Sequence, residues 1–70
     1  MMSEYTAIVK NARDYWIGWI EEVPGVNCQE PTREELLETL RITLQEALEQ
    51  NRADAREAAG DSFEETRIAV

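Results

Sequence analysis

The run Tyr15-Trp16-Ile17-Gly18-Trp19-Ile20-Glu21-Glu22-Val23-Pro24-Gly25 constrains this chain more than any other. Read as a strand over Tyr15 to Glu21, it is apolar on both faces. Side chains alternate along a strand, so Tyr15, Ile17 and Trp19 share one face and Trp16, Gly18 and Ile20 the other. A strand of that kind asks for cover on both sides. Both tryptophans of a 70-residue chain lie in it. The hairpin built on it is therefore the centre of the core, a binding surface, or both. Pro24 and Gly25 close it with a turn. Gly18, between the tryptophans, either makes room for a neighbouring side chain or marks a bulge.

The rest of the chain arranges itself around that strand. Ser3 to Lys10 reads as a first strand, with Tyr5, Thr6, Ile8 and Val9 supplying β-favouring side chains. Asn11 to Asp14 is a polar turn, and Val26 to Gln29 a short third strand. Thr32 then caps a helix. Its hydroxyl can accept from the Glu35 amide while the Glu35 carboxylate reaches back to the Thr32 amide. Glu34, Glu35 and Glu38 sit near the positive helix end, where negative charge is favoured. Advancing ~100° per residue from Leu36 puts Leu37, Leu40, Leu44, Ala47 and Leu48 in one stripe about 120° wide. Asn51, Ala55 and Ala58 continue it, Ile42 falls outside it, and Gly60 is the stop.

A helix over Arg33 to Ala59 is about 40 Å long. A seven-residue strand spans only ~23 Å. The half from Asn51 to Ala59 must project past the sheet, break into a separate turn, or pack on another chain. Glu64 to Val70, with Thr66, Ile68 and Val70 on one side, reads as a final strand. It is either a sheet edge or an arm exchanged with a neighbour. The expected architecture is α+β: a three-stranded antiparallel meander, one long helix packed on it, and a short final strand, all in a single domain over residues 1–70.

Size and charge narrow the function. A domain this small buries only about 60% of its unfolded surface. Its core alone rarely supplies more than roughly 3–5 kcal/mol. Disulfides, metals and oligomerisation are the usual supplements. Cys28 is the lone cysteine and histidine is absent, which excludes an internal disulfide and a zinc set. Oligomerisation, as a dimer or tetramer, or a permanent partner remains. Fifteen acidic and seven basic residues leave a net charge of −8, with no Lys/Arg cluster. Phosphate backbones repel such a surface, so direct nucleic-acid binding is not expected. The acidity either suits a basic partner or only keeps the protein soluble. No stretch approaches the ~18–20 apolar residues of a membrane span. Met1-Met2-Ser3-Glu4 has no signal-peptide character, and a lone thiol suits the reducing cytoplasm.

The chain is poor in catalytic chemistry. No histidine can serve as a base near neutral pH, and Cys28 has none to activate it. The pairs Glu21-Glu22, Glu34-Glu35 and Glu64-Glu65 are sequence neighbours whose side chains diverge, so they read as solvated charge. Gly18, Gly25 and Gly60 are too scattered for a phosphate loop. No cofactor, metal or enzymatic activity is expected.

Tyr5-Thr6-Ala7-Ile8-Val9, Tyr15-Trp16-Ile17-Gly18-Trp19-Ile20, Val23-Pro24-Gly25, Thr32-Arg33-Glu34-Glu35-Leu36 and the Leu-rich helix after it resemble, in order and spacing, the HicB-like antitoxins. The resemblance covers nearly the whole chain and is to the short form, the amino-terminal domain alone. It implies a degraded ribonuclease-H-like fold without an active site. It also implies an antitoxin of a type II toxin–antitoxin pair, inhibiting a small basic mRNA-cleaving toxin (HicA-like) by occluding its RNA-binding surface. On this reading the separate DNA-binding domain carried by many members is not expected. Gln29-Glu30-Pro31 replaces the Gln-Gly-acid segment often found before the helix, and Val26 the cysteine after the Pro-Gly turn.

On this reading Trp16, Trp19, Glu21, Glu22 and Glu30 contact the partner, with carboxylates standing where phosphates would go. Alternatively the tryptophans pack on Leu36, Leu40 and Leu44 and the glutamates face solvent. The competing functions are an orphan oligomeric module with a structural or regulatory role, and a residual metal-dependent nuclease acting on RNA–DNA hybrids.

Overall fold

A computed structural model of the chain describes residues 4–70. Three strands, β1 (Ala7–Asn11), β2 (Trp16–Ile20) and β3 (Asn27–Glu30), form an antiparallel meander in the order β1-β2-β3. One helix, α1 (Arg33–Ala59), follows. The arrangement is α+β, as the patterning predicts. The expected start of the first strand at Ser3 lies outside the described residues.

Local chemistry accounts for each junction. Arg13 adopts a positive φ of 70° in the β1–β2 turn, where the Ala12 amide donates to the Tyr15 carbonyl at 2.8 Å. Gly25, at φ 93°, makes the turn after β2 that a side chain would strain. The Thr32 hydroxyl accepts from the Glu35 amide at 3.1 Å and opens α1. The reciprocal contact from the Glu35 carboxylate is not formed among the described residues. Gly60, at φ 84°, ends the helix, its amide donating to the carbonyls of Arg56 and Glu57.

The core is small. Ile20, Val23, Val26, Leu36 and Leu40 are buried, with Ala7, Val9, Trp16, Cys28, Leu44, Ala47 and Leu48 packed around them. Gly18 makes the close approach possible: a methyl there would stand 3.1 Å from both Leu36 and Leu40. Two polar contacts orient the helix. The Thr39 hydroxyl donates to the Glu30 carboxylate at 2.7 Å, and the Cys28 thiol to the Thr43 hydroxyl at 3.6 Å. As the helix advances from 39 to 43 the strand retreats from 30 to 28, so α1 runs antiparallel to β3. It packs mainly on β2 and β3 and touches β1 least.

Three expectations need correction. The strands are shorter or shifted: β1 begins at Ala7, β2 lacks Tyr15 and Glu21, and β3 runs one residue later than Val26 to Gln29. Val26 instead turns into the core, its carbonyl accepting from the Ile20 amide. Leu37, at the margin of the apolar stripe, is exposed. The helix runs unbroken past the sheet, one of the outcomes expected for Asn51 to Ala59, and Asn51, Ala55 and Ala58 are exposed there. Finally, Glu64 to Val70 forms no strand. The helix carries this segment away from the sheet edge it would need, and every residue from Glu49 to Val70 is exposed.

Candidate functional site: the uncovered face of the sheet

β2 alternates as its sequence requires, and the helix selects one side of it. Gly18 and Ile20 are buried beneath α1 and Trp16 packs against the core, so Ile17 and Trp19 point to the opposite face. The strand register completes that face. Ile8 lies across from Trp19 and Lys10 across from Ile17, while Asn27 and Gln29 are their partners on β3. Trp19 remains 37% exposed, and Ile8 and Ile17 are half-buried. A shallow hollow lined by Ile17, Trp19, Asn27 and Gln29 runs along the β2–β3 half. Exposed Tyr15 extends the apolar surface at the β1–β2 turn.

The five residues expected at a contact surface fall in separate places. Trp19 lies on the uncovered face. Glu21 and Glu22 follow it just beyond β2 and are exposed. Trp16 and Glu30 are cross-strand partners at the far end of β2, on the helix side. Glu30 is half-buried and committed to its hydrogen bond from Thr39, so it ties strand to helix. Trp19 on the uncovered face and Trp16 with Glu30 on the helix side therefore have the sheet between them, and Glu21 and Glu22 lie in the turn that follows β2. Ile8 and Lys10 join Trp19 only through the β1–β2 register, which the residues of β2 alone do not reveal.

Glu22 has a structural duty as well. Its carboxylate accepts from the Thr6 amide at 2.8 Å and holds the entry to β1 against the end of β2. That backbone hydrogen bond lowers its pKa below the ordinary glutamate value. A group with a depressed folded pKa contributes stability above its unfolded pKa, and the contribution is lost as pH falls through the folded value. The junction should therefore stay closed at neutral pH and loosen only in acid, below the usual glutamate range. In an NMR titration the Thr6 amide resonance is expected to move with a midpoint below that of a free glutamate. Glu22→Ala should abolish the transition, and a midpoint at the ordinary value would show that the bond does not form.

The surface offers apolar contact, hydrogen bonding and exposed carboxylates. Among the described residues no group of three or more His, Cys, Asp or Glu side chains could hold a metal ion. No described helix is long and apolar enough to cross a membrane. No family model matches the chain, and comparison with curated proteins and solved structures finds no match.

Proposed function

We propose that the protein is an antitoxin-like inhibitor that binds a small basic RNA-cleaving toxin through the uncovered sheet face. The observation that carries this reading is the apolar patch of Ile8, Ile17 and Trp19, opposite the helix, in a chain of net charge −8. Exposed aromatic surface of this kind marks contact sites. Acidic character favours a cationic partner and speeds its encounter. On this reading exposed Glu21, two residues after Trp19, would meet the cationic surface that otherwise holds RNA phosphates, while Glu22 is held by its hydrogen bond from the Thr6 amide. The finer fold on this reading is the degraded ribonuclease-H-like domain of the HicB-like antitoxins. The protein itself is non-enzymatic, uses no cofactor, and works in the cytoplasm as a homo-oligomer.

Co-expression with a neighbouring short basic reading frame tests the proposal. The two products should co-purify, and the acidic chain should relieve growth inhibition by the basic one. Trp19→Ala should leave the helical circular dichroism signal intact, because Trp19 lies outside the core. Truncating a central aromatic contact costs about 2 kcal/mol or more, so affinity should fall roughly thirtyfold or further. Unchanged affinity in a folded Trp19→Ala protein would remove this face from the mechanism. The second reading is an oligomeric structural or regulatory module without a toxin. The exposed distal half of α1 favours it. Absence of any basic neighbour whose toxicity is relieved would select it.

A further inference from the structure

The segment Glu64–Val70 has the alternation of a strand and no sheet to join. Thr66, Ile68 and Val70 share one side of it, and Ile68 is 84% exposed. Among the described residues, the sheet has an unpaired outer edge on β1. We infer that this segment pairs antiparallel with the β1 edge of a second copy of the chain, each copy giving its arm to the other.

Direction and charge both lead there. β1 and β3 run the same way in the meander, so α1, antiparallel to β3, is also antiparallel to β1. The arm already turns back along the helix: Phe63, Thr66 and Arg67 lie beside Arg52, Ala55, Arg56 and Ala59, and Arg56 donates to the Glu65 carboxylate at 3.0 Å. Continued along its own helix, the arm would reach its own β1 in parallel orientation. That would set Glu64 and Glu65 beside Glu4. The return is also long. The helix extends about 17 Å beyond Leu48 at 1.5 Å per residue. Extended chain needs about five residues to cover that distance.

Antiparallel pairing requires another chain, and it brings opposite charges together. With Ile68 across from Ile8, Thr66 faces Lys10 and Glu64 faces Ala12. Glu64 and Glu65 then lie at the Lys10–Arg13 end of β1. Ile68 extends the Ile8–Trp19 row on the uncovered face. The β3 edge is a poorer host, because Glu30 lies on it. Strand addition supplies main-chain hydrogen bonds that the exposed arm lacks, and a reciprocal exchange closes as a two-fold dimer. The Arg56–Glu65 pair that must open is exposed and worth little.

The test uses the whole chain and no partner protein, so it fails or succeeds apart from the inhibitor proposal. Wild-type protein should sediment as a dimer at micromolar concentration. In this register Val9 turns its free backbone groups to Arg67, so Arg67→Pro, at an exposed position, removes a pairing amide and should sediment as a monomer with unchanged helical signal. In a Cys28→Ser background, chains carrying Ile8→Cys should be mixed with chains carrying Ile68→Cys and mildly oxidised. A disulfide-linked dimer should form in the mixture well above the level in either variant alone. A monomeric wild type, an Arg67→Pro protein still dimeric, or a mixture no more cross-linked than its components would overturn the inference. So would a double Ile8→Cys, Ile68→Cys chain that closes only within itself.

Discussion

Leu36→Ala is expected to leave the protein largely unfolded at room temperature. Leu36 is fully buried, and with Leu40 it is one of the two largest side chains with essentially no exposure. Truncating a buried leucine costs about 2–5 kcal/mol, through lost transfer energy and the cavity left behind. A core this size rarely supplies more than roughly 3–5 kcal/mol in all. The two quantities are comparable, so little stability remains. Few neighbours can collapse into the gap, because among the described residues only Ile20, Val23, Val26 and Leu40 are buried around it. Far-UV circular dichroism at 25 °C should show most of the helix lost. Leu36→Met, which nearly conserves volume, should cost under about 1.5 kcal/mol and keep the fold. A cooperative, nearly unshifted denaturation curve for Leu36→Ala would mean that the helix does not depend on this contact.

That dependence explains why some elements were legible in the sequence and others were not. Leu36 and Leu40 are evident because helical periodicity and sheet cover coincide there. Trp16 and Trp19 divide between faces as alternation demands, although β2 by itself does not reveal which face the helix takes. The space at Gly18 for Leu36 and Leu40 and the polar ties from Thr39 to Glu30 and from Thr43 to Cys28 lie on that face, and no local pattern announces contacts between residues so far apart in sequence. Periodicity also overreaches. Asn51, Ala55 and Ala58 keep the apolar phase after the sheet has ended, since a stripe records spacing and not the length of what lies beneath it. Thr66, Ile68 and Val70 likewise record a capacity to form a strand, while the pairing edge lies elsewhere. Of the candidate site, Trp19 and Ile17 can be read from β2. Ile8 and Lys10 require the register, which the turn at Arg13 sets. Glu30 reads as a contact carboxylate by charge alone, yet its position opposite Trp16 commits it to Thr39.

Gly18→Val should be the second severe substitution, for the opposite reason: excess volume where Leu36→Ala leaves a void. Gly18 needs its missing side chain for space, since only Gly25 and Gly60 among the glycines have positive φ. A Cβ at position 18 would stand 2.7 Å from the Ile8 carbonyl oxygen and 3.1 Å from each of the Leu36 and Leu40 methyls. The leucine methyls can rotate aside, but the Ile8 oxygen is backbone in the paired strand and moves only if β1 shifts against β2. Overpacking of this kind costs typically 1–3 kcal/mol. Gly18→Ala should therefore lower the denaturation midpoint clearly. Gly18→Val, with two further methyls directed at Leu36 and Leu40, should exceed that and approach the whole stability of the domain. Adding Leu40→Ala to Gly18→Ala distinguishes the sources of strain. If helix contact dominates, the double variant should be less destabilised than the sum of the single ones, because the new methyl fills part of the cavity. Strict additivity would place the strain at the Ile8 carbonyl, and a Gly18→Ala protein as stable as wild type would show that the helix does not approach the sheet this closely.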